Sequence, residues 1–126
     1  MPVQYRVDLE LLAVWVIVSG LMTREQFRDV AGQVDADPTV PRDASLVLDL
    51  SEASPNTFSA DDVRDFATTP LFSRGGARAV VAPHPALYGV VRMFDVYRGF
   101  HPELPQVRIF RMRAEATAWL AQMRRT

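Results

Sequence analysis

The chain has 126 residues, 48% of them apolar and 23% charged, and its 14 arginines against 15 acidic residues, with no lysine, leave a formal net charge of −1. A chain of this length builds one core rather than two and buries about two-thirds of its unfolded surface without covalent staples. The absence of cysteine excludes a disulfide framework, thiol nucleophiles, iron–sulfur ligation and thiolate zinc sites, and near-neutral charge speaks against nucleic acid as a partner.

Charge is placed less evenly than its total suggests. Residues 1–65 hold 5 Arg and 12 acids, whereas residues 66–126 hold 9 Arg and 3 acids. In an α/β domain the two halves of the chain interleave, so this asymmetry need not build a basic face. The longest strongly apolar run, Leu11 to Val18, has eight residues where a membrane helix needs about 20. Asp8 and Glu10 stand where a secretory signal would be positive, so the expectation is a cytoplasmic chain with no membrane insertion.

Gln4 to Leu9 alternates in polarity, with Tyr5, Val7 and Leu9 on one side, which predicts a half-exposed strand. Leu11 to Val18 reads as a fully buried strand, and the single Glu10 between them predicts a tight antiparallel hairpin at a sheet edge. Thr23-Arg24-Glu25-Gln26 is a capping box that opens a helix with Phe27, Val30, Ala31 and Val34 on its buried face, stopped by Asp37-Pro38. Leu46 to Leu50 predicts a buried parallel strand interrupted only by Asp49. Ser59-Ala60-Asp61-Asp62 caps a second helix, whose stripe is Val63, Phe66 and Ala67 and which Pro70 breaks.

After a turn at Ser73-Arg74-Gly75-Gly76, Ala77 to Ala82 predicts the next strand. Pro85 then takes the first position of a helix that buries Leu87, Val90, Val91 and Phe94. Gly99 to Pro105 is a connection, Val107 to Phe110 the last strand, and Arg113 to Arg124 a closing helix with Ala116, Trp119, Leu120 and Met123 inward. The order ββαβαβαβα implies a single α/β domain over 1–126, with a mostly parallel mixed sheet and an antiparallel edge strand.

The opening Y-R-V-D, the apolar strand ending V-S-G, the helix start from Leu21 to Gln26, V-L-D-L at Val47 to Leu50, R-A-V-V-A-P at Arg78 to Pro83, R-M-F within Gly89 to Phe94, and the closing V-R-I-F-R with E-A-x-x-W-L follow one another in a telling order. In that order and spacing, nearly the whole chain resembles the SpoIIAA-like branch of the STAS superfamily. These are small bacterial domains related to anti-sigma-factor antagonists and distantly similar in topology to CRAL-TRIO lipid-transfer domains. The resemblance implies a regulatory domain with a phosphorylated Ser in a D-S-x-G-like motif after the third strand. Here that stretch reads S-E-A-S-P-N-T-F-S-A-D, with Phe58 about where the acceptor would fall. The phospho-switch motif is not retained.

Ligands in parallel α/β sheets gather at the C-terminal ends of the strands. Asp49, Ser51, Ser54, Thr57, Ser59 and His84 could form an anion-binding or phospho-acceptor rim there, although capping fully explains Ser59 and loop bonding explains Asp49, which is the favoured reading. His84 and His101 are the only histidines and share no metal-ligating spacing. No G-x-S-x-G elbow exists, and Gly75-Gly76 precedes a strand rather than a helix. On the helix after Pro85, Tyr88, Arg92 and Val96 share a face suited to a protein contact, with Arg92 and Asp95 spaced for an exposed ion pair.

The expectation is therefore a non-enzymatic interaction or regulatory domain, without cofactor or metal, that binds a protein partner or self-associates as a homodimer. The alternative is a small-ligand or lipid-binding module with a pocket between helices and sheet.

Overall fold

The computed structural model describes residues 2–68, 72, 76–103 and 107–124, with the side chains of 67, 68 and 124 left aside. Two strands open the chain, β1 (Val3–Asp8) and β2 (Ala13–Gly20), paired antiparallel from Val3↔Val18 to Asp8↔Ala13. The hairpin is looser than the predicted one-residue turn. The Asp8 carboxylate accepts the Leu11 amide at 3.0 Å and so ends β1, and Leu12 adopts a left-handed backbone (φ 52°) that aims the chain into β2. Leu9, expected beside Tyr5 and Val7, is consequently 67% exposed.

Helix α1 (Arg24–Ala36) starts at the predicted capping box: Thr23 Oγ1 accepts the Gln26 amide at 3.1 Å and Gln26 Oε1 accepts the Thr23 amide at 2.8 Å. Phe27, Val30, Ala31 and Val34 are its buried residues, as the helical spacing requires. At its far end Asp37 receives the Tyr5 hydroxyl at 2.7 Å, which ties the edge strand to the helix layer. That bond to a carboxylate, with burial, holds the Tyr5 phenol above its ordinary pKa.

Strand β3 (Ser45–Ala53) runs three residues beyond the apolar segment seen in sequence. Ser19↔Glu52 and Gly20↔Ala53 pair after a register shift in β2, so a strand partner overrides the polar sequence. Helix α2 (Ala60–Thr68) is capped by a reciprocal pair, Ser59 to Asp62, in which each amide donates to the other side chain at 3.0 and 3.1 Å. Strand β4 (Arg78–Val81), helix α3 (Pro85–Arg98), strand β5 (Val107–Phe110) and helix α4 (Arg113–Arg124) follow. The predicted break at Pro70 and the turn residues 73–75 lie outside the described residues. Gly76 is described, and only glycine suits it: a Cβ there would stand 2.4 Å from the Ala44 carbonyl oxygen.

The five strands lie in chain order, β1-β2-β3-β4-β5, with β1 antiparallel and the others parallel. This is the predicted α/β domain with one mixed sheet and four helices. Successive crossovers that always step to the next strand return over one sheet face. Accordingly α1, α2 and α3 pack together on Val14, Val16, Val18, Leu46, Leu50 and Val80 in the larger core. Helix α4 alone covers the opposite face, where Ala116 and Leu120 meet Ala13, Trp15, Val47, Ala79 and Val81.

Along the outer seam of α1 and α2, Arg24 lies 2.9 Å from Asp62 and Arg28 2.5 Å from Asp65. Partial burial tends to raise the Asp62 pKa, but the Ser59 amide, the Arg24 guanidinium and the Ser59 hydroxyl outweigh it and hold the group below its ordinary value. Ionised Asp62 therefore adds stability above the ordinary carboxylate range, and that stability is lost as pH falls through the folded value. Asp62→Asn should lower stability by about 1 kcal/mol at neutral pH. In urea titrations the gap from wild type should close below about pH 4, and a gap constant across that range would refute the assignment.

Candidate functional site

The rim residues named from sequence are each held by a hydrogen bond within the fold. Asp49 is 1% exposed and projects from β3 toward α4, where its Oδ2 accepts Arg113 Nε at 2.6 Å and its Oδ1 accepts the Ser51 amide at 3.0 Å and hydroxyl at 2.6 Å. Thr57 is buried and its Oγ1 accepts the Met22 amide at 2.8 Å, pinning the loop after β3 to the start of α1. Ser54 Oγ faces the Asn56 amide at 3.4 Å. Ser59 caps α2 and His84 caps α3, its Nδ1 accepting the Ala86 amide at 3.1 Å. Asp49 thus lies on the α4 face, while Thr57 packs on the side of the other helices.

The second histidine is far from the first. His101 sits beyond the C-terminus of α3, with its Nδ1 3.1 Å from Glu103, and a 14-residue helix separates it from His84 by about 20 Å.

On α3, Arg92 and Val96 are exposed, whereas Tyr88 is half-buried with the Arg111 guanidinium 5.1 Å from its ring centre. The Arg92–Asp95 pair expected on this helix is not among the ion pairs of the described residues. An apolar stripe runs along the outer face instead: Met93, Val96 and, just past the helix end, Phe100, which is 77% exposed.

Between the sheet and the three-helix layer lies an apolar pocket of about 100 Å³. Leu48 and Val80 form part of its floor, Phe58, Phe66 and Phe72 one wall, and Val91 and Phe94 another. Phe27, Phe66, Phe58 and Phe72 interlock around it with ring centres 4.7 to 5.7 Å apart. Two arginines reach into this apolar space. Arg78 Nη2 donates to the Phe72 carbonyl at 2.6 Å, and Arg98, only 6% exposed, donates to the Phe66 carbonyl at 3.3 Å with its guanidinium 4.9 Å from the Phe94 ring centre.

Burial lowers the pKa of both guanidinium groups, and the Arg98 charge lowers that of Arg78 further against the opposing pull of Asp35. Both remain cationic at neutral pH. The pocket is thus apolar in its walls, with two guanidinium groups at one end. Sequence reading passed over both arginines. For Arg98 a signal existed, because Leu87, Val91, Phe94 and Arg98 fall on one helical stripe.

On the opposite face, α4 leaves part of the sheet uncovered. The resulting cleft of about 350 Å³ is lined by Arg6, Asp8 and Leu11 at one end, Trp15 and Ile17 along the floor, and Glu52, Arg113 and Thr117 at the other side. Asp49 lies beneath Arg113.

Compared with known proteins, the chain matches no family model, and neither a curated protein nor a solved structure is significantly similar to it.

Because Thr57 is a buried acceptor between two loops, its role is structural before it is chemical. Thr57→Val, which keeps the shape and removes the acceptor, should cost about 1–3 kcal/mol by stranding the Met22 amide. An unchanged urea midpoint would show that this bond is dispensable.

Proposed function

We propose that this chain is a non-enzymatic, STAS-like module that binds a small anionic amphiphile, an acyl or alkyl chain with a carboxylate or phosphate head, in the pocket between sheet and helices. The observation that carries the reading is the burial of two like charges, Arg78 and Arg98, beside an apolar cavity. Burying a cation in apolar surroundings is unfavourable, and burying two that repel each other is more so. An anionic head placed at these guanidinium groups would relieve their repulsion with charge-assisted hydrogen bonds, while its chain would occupy space lined by Leu, Val and Phe. The pocket, about 100 Å³, is smaller than the ~150 Å³ apolar cavity that takes up benzene in another protein core, so it takes only a short chain.

Hexanoate and its neutral counterpart hexanol test this. In thermal unfolding monitored by circular dichroism, hexanoate should raise the midpoint in a saturable manner and hexanol should not, and Arg98→Met should remove the difference. Equal responses to the acid and the alcohol would overturn the anionic part of the reading, and no response to either would overturn the whole.

A second reading, self-association or docking of a protein partner through α3, is favoured by the exposed stripe of Met93, Val96 and Phe100. On this reading the protein sediments as a concentration-dependent dimer, and Val96→Glu restores the monomer. A wild-type chain that stays monomeric at high concentration removes the homodimer form.

A further inference from the structure

The cleft beside α4 gathers charged groups that the core pocket does not use. Its Arg113 is pre-oriented: Nε is fixed to the buried Asp49 carboxylate at 2.6 Å, and Asp49 is itself saturated by Ser51. The Arg113 side chain stays 53% exposed, so the outer edge of its fork, the two Nη groups, makes no hydrogen bond to any described residue. Such an edge matches a carboxylate in two parallel bonds. The floor supplies a further donor. Trp15 is 3% exposed, yet its Nε1 has no acceptor among the described residues, although a buried indole N–H ordinarily finds one.

The Arg6 guanidinium covers that ring, 5.2 Å from its centre, held by one long ion pair of 3.9 Å to Asp8 and itself 57% exposed. The guanidinium stacks on the face of the ring, whereas the indole N–H lies in the ring plane. Opposite charge stands nearby in Glu52, whose described contact is a 3.4 Å bond from Ser19. Leu11 and Ile17 supply apolar surface between the charged ends. The cleft, about 350 Å³, lies at the lower end of the range for small-molecule sites.

We propose that this cleft binds a free apolar α-amino acid as its zwitterion, with the carboxylate on Arg113 and the Trp15 N–H, the ammonium on Glu52, and the side chain along Leu11 and Ile17. The occupant differs in kind from that of the core pocket, where an ammonium group would meet two buried cations.

The test uses the full-length protein labelled with nitrogen-15 and follows the indole N–H resonance of Trp15, identified with Trp119→Phe. L-leucine should shift this signal saturably. N-acetyl-L-leucine, which lacks the ammonium, and L-leucinamide, which lacks the carboxylate, should each bind at least about tenfold more weakly. Arg113→Lys keeps the charge beside Asp49 but loses the fork, and should weaken leucine about tenfold or more. Thr117→Phe should block the cleft without touching the Asp49 pair, so it serves if Arg113→Lys does not fold.

Neither variant should change the response to hexanoate, which separates this site from the pocket around Arg98. A Trp15 resonance unmoved by leucine, or moved equally by either derivative, overturns the proposal.

Discussion

Everything in this fold follows from how the parallel strands are laid down: each joins the edge left by the one before it. Three crossovers stepping in one direction put three helices on one side of the sheet, and the chain has a single helix left for the other. The two faces are therefore unequal. One is sealed by a helix layer thick enough to enclose a pocket, and the other is covered by α4, which buries Ala13 and Trp15 of β2 but leaves a cleft beside Arg6, Asp8 and Ile17. Both cavities are consequences of this count of helices against faces.

The charges are distributed to match. In the sealed layer, Arg78 and Arg98 reach in from the start of β4 and the end of α3, and backbone carbonyls of Phe72 and Phe66 accept from them. Burial acts against both guanidinium groups there, and the charge of Asp35 opposes it at Arg78. On the open face the buried charge is negative, Asp49, and an arginine from the first turn of α4 neutralises it. The Asp49–Arg113 pair also fixes where α4 begins on the sheet, and two neighbouring bonds from Ser51 leave the carboxylate fully satisfied.

The elements legible in the sequence are those decided by local chemistry. The Thr23 capping box, the Ser59 cap, Pro85 at the first turn of α3 and the boundaries of β5 and α4 all lie where side-chain pattern alone put them. The departures arise where a distant partner decides. Glu52 and Ala53 read as loop until β2 is beside them, and the start of β2 depends on a turn bond from Asp8. The site residues divide in the same way. Asp49 stood out as an acid in an apolar strand, but its partner lies 64 residues away. The unpartnered Trp15 nitrogen likewise shows only when its neighbours are in place.

The sequential strand order also bears on assembly. Strand neighbours in space are neighbours in the chain, yet each parallel pairing closes a loop that holds a whole helix, Ala13 meeting Ser45 and Leu46 meeting Arg78, and pairing over such separations is intrinsically slow. Helix α4 stands apart from that scheme. It comes last in the chain, packs on the thinner core through Ala116, Leu120 and the Phe110–Trp119 contact, and is latched by a carboxylate from the middle of the sequence. The two faces of the sheet are thus closed by parts of the chain of unequal weight, three helices on the larger cluster and one on the smaller.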